Sequence, residues 1–210
     1  MISSMLHRSL CVLLLAGLGA TSLAAPVTTT LQPDKTVRRV PGREERPLIR
    51  FPADEGWNLL ESQSGKGVET RSYSPATSPS GPGVDLATIT ILHDLWNANL
   101  EKAQHLFGKQ LSADCEGVRA RLLRADSTAV PKRLLLWTCE SAQPPFSALQ
   151  LLMQGRDDLF SVELFSQGGI LSEGQQVRWA DWLWEIDTCL RKGTGVPCPP
   201  DNWDRLNARP

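Results

Sequence analysis

"FSALQLLMQGRDDLFSVELFS", Phe146 to Ser166, sets two apolar-rich runs either side of a short polar connection, "QGRDD". Runs of this length around a Gly-containing link read as a β-hairpin. Strands joined so closely pair antiparallel, because a parallel pair needs a crossover of about a dozen residues or more. The sheet of this chain is therefore antiparallel at this point. In the second run Phe160, Val162 and Leu164 share one face, and Ser161, Glu163 and Phe165 the other.

Further strands follow from the same alternation. "VDLATITILH" is rich in β-branched residues, with Ala87, Ile89 and Ile91 opposite Leu86, Thr88, Thr90 and Leu92. Residues 57 to 73 read as a hairpin turned by "SGKG". "SPATSPSGPG" is a Pro/Gly/Ser loop that cannot lie in a sheet centre. "VRARLLR" and "RLLLWTCES" form another pair through "ADSTAVPK". Centred near Ser127, this pair sets Val118, Ala120 and Leu122 against Leu136, Leu134 and Lys132. The same register opposes Cys115 to Cys139, and it also sets Arg121 against Arg133, a like-charge pair.

Two helices complete the pattern. Asn97 is the expected cap of the first, whose apolar stripe is Leu100, Ala103, Phe107 and Leu111. The final helix starts at Ser172, with Gln175 completing a capping box. Its stripe is Trp179, Trp182, Leu183 and Ile186, continued by Cys189 and Leu190, with Arg191 and Lys192 at its end and Gly193 as its stop. The expected fold class is α+β: an antiparallel sheet of about six to seven strands, with two main helices closing over its apolar face.

The N-terminus has the layout of a secretory signal peptide: His7 and Arg8, the apolar run "SLCVLLLAGLGA", then "TSLAAP". The expected cut follows Ala24, so residues 1–24 are the signal and the product starts at Ala25 or Pro26. No later segment is apolar enough to span a membrane, and the periplasm is the expected location. Residues 25–50 read as a disordered basic linker and 51–210 as one domain. Residues 26–50 carry a net charge of +3 and residues 51–210 a net of −5. A negative body argues against nucleic acid, which requires clustered cations.

Past the signal four cysteines remain: Cys115, Cys139, Cys189 and Cys198. An even count in an exported chain reads as two disulfides. Hairpin register pairs Cys115 with Cys139, and short separation pairs Cys189 with Cys198. No CxxC exists, so no metal site is expected. Several elements recur in one order: "GW", "SADC", "LWTC", "QGRDDLFSVE", and "CL" before "PCP". Over roughly residues 56 to 199 the chain resembles a group of small exported proteobacterial proteins. That resemblance implies a periplasmic disulfide-bonded domain and supplies no catalytic residues. The element order also resembles PsbP-like folds, whose members mostly bind or assist.

Catalytic signals are sparse. His93 and His105 are the only histidines beyond the signal, and "HD" at His93–Asp94 is the one candidate for an oriented base. Asp157 and Asp158 read as solvated turn carboxylates. If its face is covered, Glu163 needs a partner such as Arg119 or Arg121. No phosphate loop or dinucleotide fingerprint occurs, and no cofactor is expected. Trp184 departs from the stripe of the last helix, flanked by Asp181 and Glu185. It is either exposed or covered by the Pro-rich tail. Trp184 and Trp203 are the candidate binding residues. The expected function is non-catalytic binding to a protein partner, of an accessory, inhibitor or immunity type. A small-ligand or lipid-binding domain is the alternative, and a hydrolase ranks last.

Overall fold

The computed structural model describes residues 45–52, 56–77, 81–95, 97–128, 130–190 and 196–198. Strands β1 (Glu45–Leu48), β2 (Trp57–Gly65), β3 (Val68–Pro75) and β4 (Leu86–Leu92) precede helix α1 (Leu100–Asp114). Then come β5 (Arg119–Asp126), β6 (Lys132–Cys139), β7 (Phe146–Gln154) and β8 (Leu159–Ser166). Helix α2 (Glu173–Trp184) and β9 (Asp187–Leu190) follow. Seven strands form one antiparallel sheet in the order β2-β3-β4-β8-β7-β6-β5, and β1 pairs with β9 in a separate two-stranded sheet. The fold is α+β, as the alternation requires.

The chain builds the sheet from both edges inward. β2, β3 and β4 run in from one edge. Lys66 and Gly67 turn the first hairpin at φ 40° and 83°, the positive values a two-residue turn of matching twist needs. The chain then passes through α1 to the far edge and returns as the meander β5-β6-β7-β8. β8 pairs with β4 from Leu86↔Phe165 to Leu92↔Leu159, closing the centre.

Register divides the side chains between two faces. One face carries Leu134, Leu151, Val162 and Ile89 in one row and Leu136, Leu149, Leu164, Ala87 and Tyr73 in the next. It forms the core with Trp179, Ala180, Leu183 and Ile186 of the α2 region. The opposite face carries Trp137, Ala148 and Leu152, and here α1 packs. A Cβ on Gly108 of α1 lies 3.0 Å from the Trp137 ring, so the glycine that weakens the helix also lets it approach the sheet. The helices thus lie on opposite faces and do not share one apolar face. All seven residues of β4 are buried accordingly.

Several expectations are corrected. Glu45–Ile49, inside the stretch read as disordered linker, is folded: Glu45–Leu48 pairs with Leu190–Asp187 and Ile49 enters the core. Asn99, not Asn97, caps α1, accepting from the Glu101 and Lys102 N–H groups. The last helix keeps its predicted capping box at Ser172 and Gln175 but ends at Trp184, because Asp187–Leu190 is taken up by β1. Arg191, Lys192 and Gly193 lie outside the described residues, as do the signal peptide and the linker up to residue 44.

Both predicted disulfides form. Cys115–Cys139 joins Cα atoms 6.1 Å apart, and Cys189–Cys198 joins Cα atoms 4.8 Å apart. The register argument for the first was wrong. Ala120 pairs with Trp137 and Arg121 with Leu136, three residues from the expected alignment. Cys115 is the C-cap of α1, not a strand partner of Cys139. The bulge between Leu122 and Arg124 turns Leu123 toward the core, and Arg133 pairs with Ala125. The like-charge pair is thereby removed.

Candidate functional site

The tryptophans of α2 divide by role. Trp179 and Leu183 are buried. Phe51 is stacked between Trp57, at 4.6 Å, and Trp182, at 5.5 Å, and Trp179 meets Trp182 edge-on at 5.7 Å. The Trp182 Nε1–H donates to the Arg50 carbonyl at 2.9 Å. These rings clamp the segment after β1 onto the core. Trp184 is only half-buried, at the C-terminal end of the helix, and the Arg124 guanidinium sits 6.0 Å over its ring. Such a contact is a cation–π geometry. Arg124 also pairs with Asp181, and Arg121 donates to Gln176 at 3.0 Å. Trp203 lies outside the described residues.

These arginines belong to β5, the last strand of the sheet, which among the described residues pairs with β6 alone. Seven of its eight residues are exposed. Arg119, Arg121 and Arg124 pair with Thr138, Leu136 and Leu134, on the α2 face. Ala120 and Leu122 pair with Trp137 and Leu135, on the α1 face, and Leu122 is 46 % exposed. Beyond them a groove of 480 Å³ runs between α1 and the sheet, lined in part by Gln104, His105, Lys109, Ala120 and Arg133. An edge strand offers a row of backbone N–H and C=O groups to an incoming strand.

The histidine candidate lies elsewhere. His93 Nδ1 is 3.1 Å from Asp158 Oδ2. Asp158 is fully buried and not a solvated turn carboxylate. Its other oxygen accepts from the Asp94 N–H at 3.1 Å, so Asp94 of "HD" supplies backbone, at φ 63°, and the orienting carboxylate comes from Asp158. His93 Nε2 lies 3.9 Å from Glu69, which pairs with Arg46 at 3.2 Å and Arg71 at 3.1 Å. Both ring nitrogens face carboxylates, which ties the end of β4 to β3 and to the β7–β8 turn. Asp157 binds Arg156, and its N–H donates to Glu45 at 3.3 Å, tying β1 to the β7–β8 turn. His105 is exposed on α1.

Glu163 stands on the α1 face. Its Oε1 accepts from Gln150 Nε2 at 3.0 Å and Ser161 Oγ at 2.8 Å, and Gln150 accepts from Trp137 Nε1 at 2.9 Å. The expected partners Arg119 and Arg121 sit on β5, three strands away. Desolvation raises the Glu163 pKa above the usual carboxylate range, and the two hydrogen bonds oppose the rise without cancelling it.

Trp184 was legible as a break in the helical stripe. The β5 edge was missed, although arginines at 119, 121 and 124 around Ala120 and Leu122 were its signal. No protein-family model matches the chain, and no curated relative matches it either.

Proposed function

We propose that this chain is an exported binding module that acts on a protein partner without covalent chemistry of its own. Its contact surface is Trp184, the β5 arginines and the adjoining flank of α2, with Trp203 as a second anchor. The observation that carries this reading is Trp184, half-covered by Arg124 beside an open strand edge. Tryptophan and arginine are the residues most enriched among interface hot spots.

Export is supported by the layout of residues 1–24 and by two disulfides, which persist in oxidising compartments. N-terminal sequencing of periplasmic material should begin at Ala25 or Pro26; an intact Met1 contradicts export. The binding reading is tested by cross-linked capture from periplasm. A partner held by the native chain and lost from Trp184→Ala or Trp203→Ala, at unchanged folding, is the expected result. Equal capture by all three proteins removes the surface. A hydrolase activity abolished by replacing His93 or Asp158 overturns the reading as a whole.

A further inference from the structure

We propose that the partner docks by adding an extended segment to β5, with acidic side chains toward α2 and apolar side chains toward α1. The inference rests on the protein-binding reading above and names the chemistry of the segment. β5 has eight residues and, among the described residues, pairs with β6 alone, which leaves a long edge for a strand to pair along. The two faces of the edge differ. Toward α2 it presents Arg119, Arg121 and Arg124, and Arg119 forms no ion pair among the described residues. Toward α1 it presents Ala120 and the exposed Leu122. Side chains of an added strand alternate between the same two faces, so glutamate or aspartate on one and Val or Leu on the other complements both rows.

Charge also decides against the simplest competitor. A second copy pairing edge to edge through β5 brings arginine rows together, and like charges opposite one another disfavour the pair. The arginines thus repel another copy while admitting an oppositely charged strand, which is specificity by repulsion and attraction together. Trp184 lies at the margin of the arginine row, under Arg124, where an adjoining partner residue completes its cover.

The probe is a fluorescein-labelled peptide as long as β5, alternating Glu and Val, titrated into the full exported chain. Saturable anisotropy change and amide shifts centred on residues 119–126 are expected. Arg119→Glu with Arg121→Glu should weaken binding about tenfold or more, with unchanged melting. A Lys–Val peptide should not bind, nor should the Glu–Val peptide with alternate backbone amides N-methylated. Equal binding of the Lys–Val or N-methylated peptide overturns the proposal, as does absence of binding. So does protection, before peptide is added, of the outward-facing β5 amides that do not bond to β6; its dependence on protein concentration then separates a second copy from a segment of the same chain. Trp184-dependent capture of a partner that survives the double arginine substitution overturns the β5 proposal and leaves the binding reading standing. Loss of Trp184 dependence removes the reading itself.

Discussion

Glu69 and Glu163 are both acidic strand residues, and their surroundings give them opposite behaviour. Glu69 is held by Arg46 and Arg71 and faces His93. Removing one member of a buried ion network strands the others, at about 3–5 kcal/mol. Glu69→Ala should therefore lower stability by that amount in chemical denaturation, and a loss near zero contradicts the network as drawn. Among the described residues Glu163 has no cation, and its pKa is raised. A carboxyl whose folded pKa exceeds its unfolded value stabilises while protonated, below about pH 4.3, and that contribution is lost as pH rises through the folded pKa. Glu163→Gln keeps the acceptor for Gln150 and Ser161 without the buried charge. The variant should melt higher than the native chain at pH 7, with the gap closing toward pH 4; a gap that widens in acid contradicts the assignment. Neither environment was readable beforehand. The sequence shows Glu163 on a strand face, but its bond to Gln150 depends on the neighbouring strand β7, and Asp158 looked solvated because its partner His93 lies 65 residues away.

At the scale of elements, α2 carries a clamp at Trp182 and a half-buried ring at Trp184. Trp182→Ala removes the Phe51 stack and the bond to the Arg50 carbonyl, and should lower stability by about 3 kcal/mol. Trp184→Ala loses partial packing and an exposed-site cation–π contact, and should lower it by about 1 kcal/mol. Equal losses in urea denaturation contradict this division of the helix face. The apolar stripe and capping box located this helix correctly because both are local patterns. Its end was misjudged because Asp187–Leu190 pairs with β1, a partner roughly 140 residues earlier in the chain. The hairpins at Lys66–Gly67 and "QGRDD" were readable for the same local reason. The β5–β6 register was not. Opposing Cys115 to Cys139 treated the disulfide as a cross-strand bond, whereas Cys115 closes a helix and the Leu122–Arg124 bulge resets the alignment.

For the whole molecule, the antiparallel α+β class followed from short connections between alternating runs, while the placement of the helices did not. The threonines of β4 suit a covered or an open face, so "LATITIL" left both arrangements standing. With one helix on each face, the sheet is protected in its middle, and among the described residues its β5 edge carries arginines and Leu122 beside Trp184. Among the described residues no helix is long and apolar enough to cross a membrane. The central claim is that this edge is where the protein meets its partner. A photo-reactive phenylalanine analogue at Leu122, activated in periplasmic extract, tests it most directly. The account predicts one cross-linked species, absent when Trp184→Ala or Arg119→Glu with Arg121→Glu is added and present when the analogue-bearing chain is otherwise native. A cross-link that survives those substitutions unchanged, or that forms equally from the opposite edge at Leu60, contradicts it.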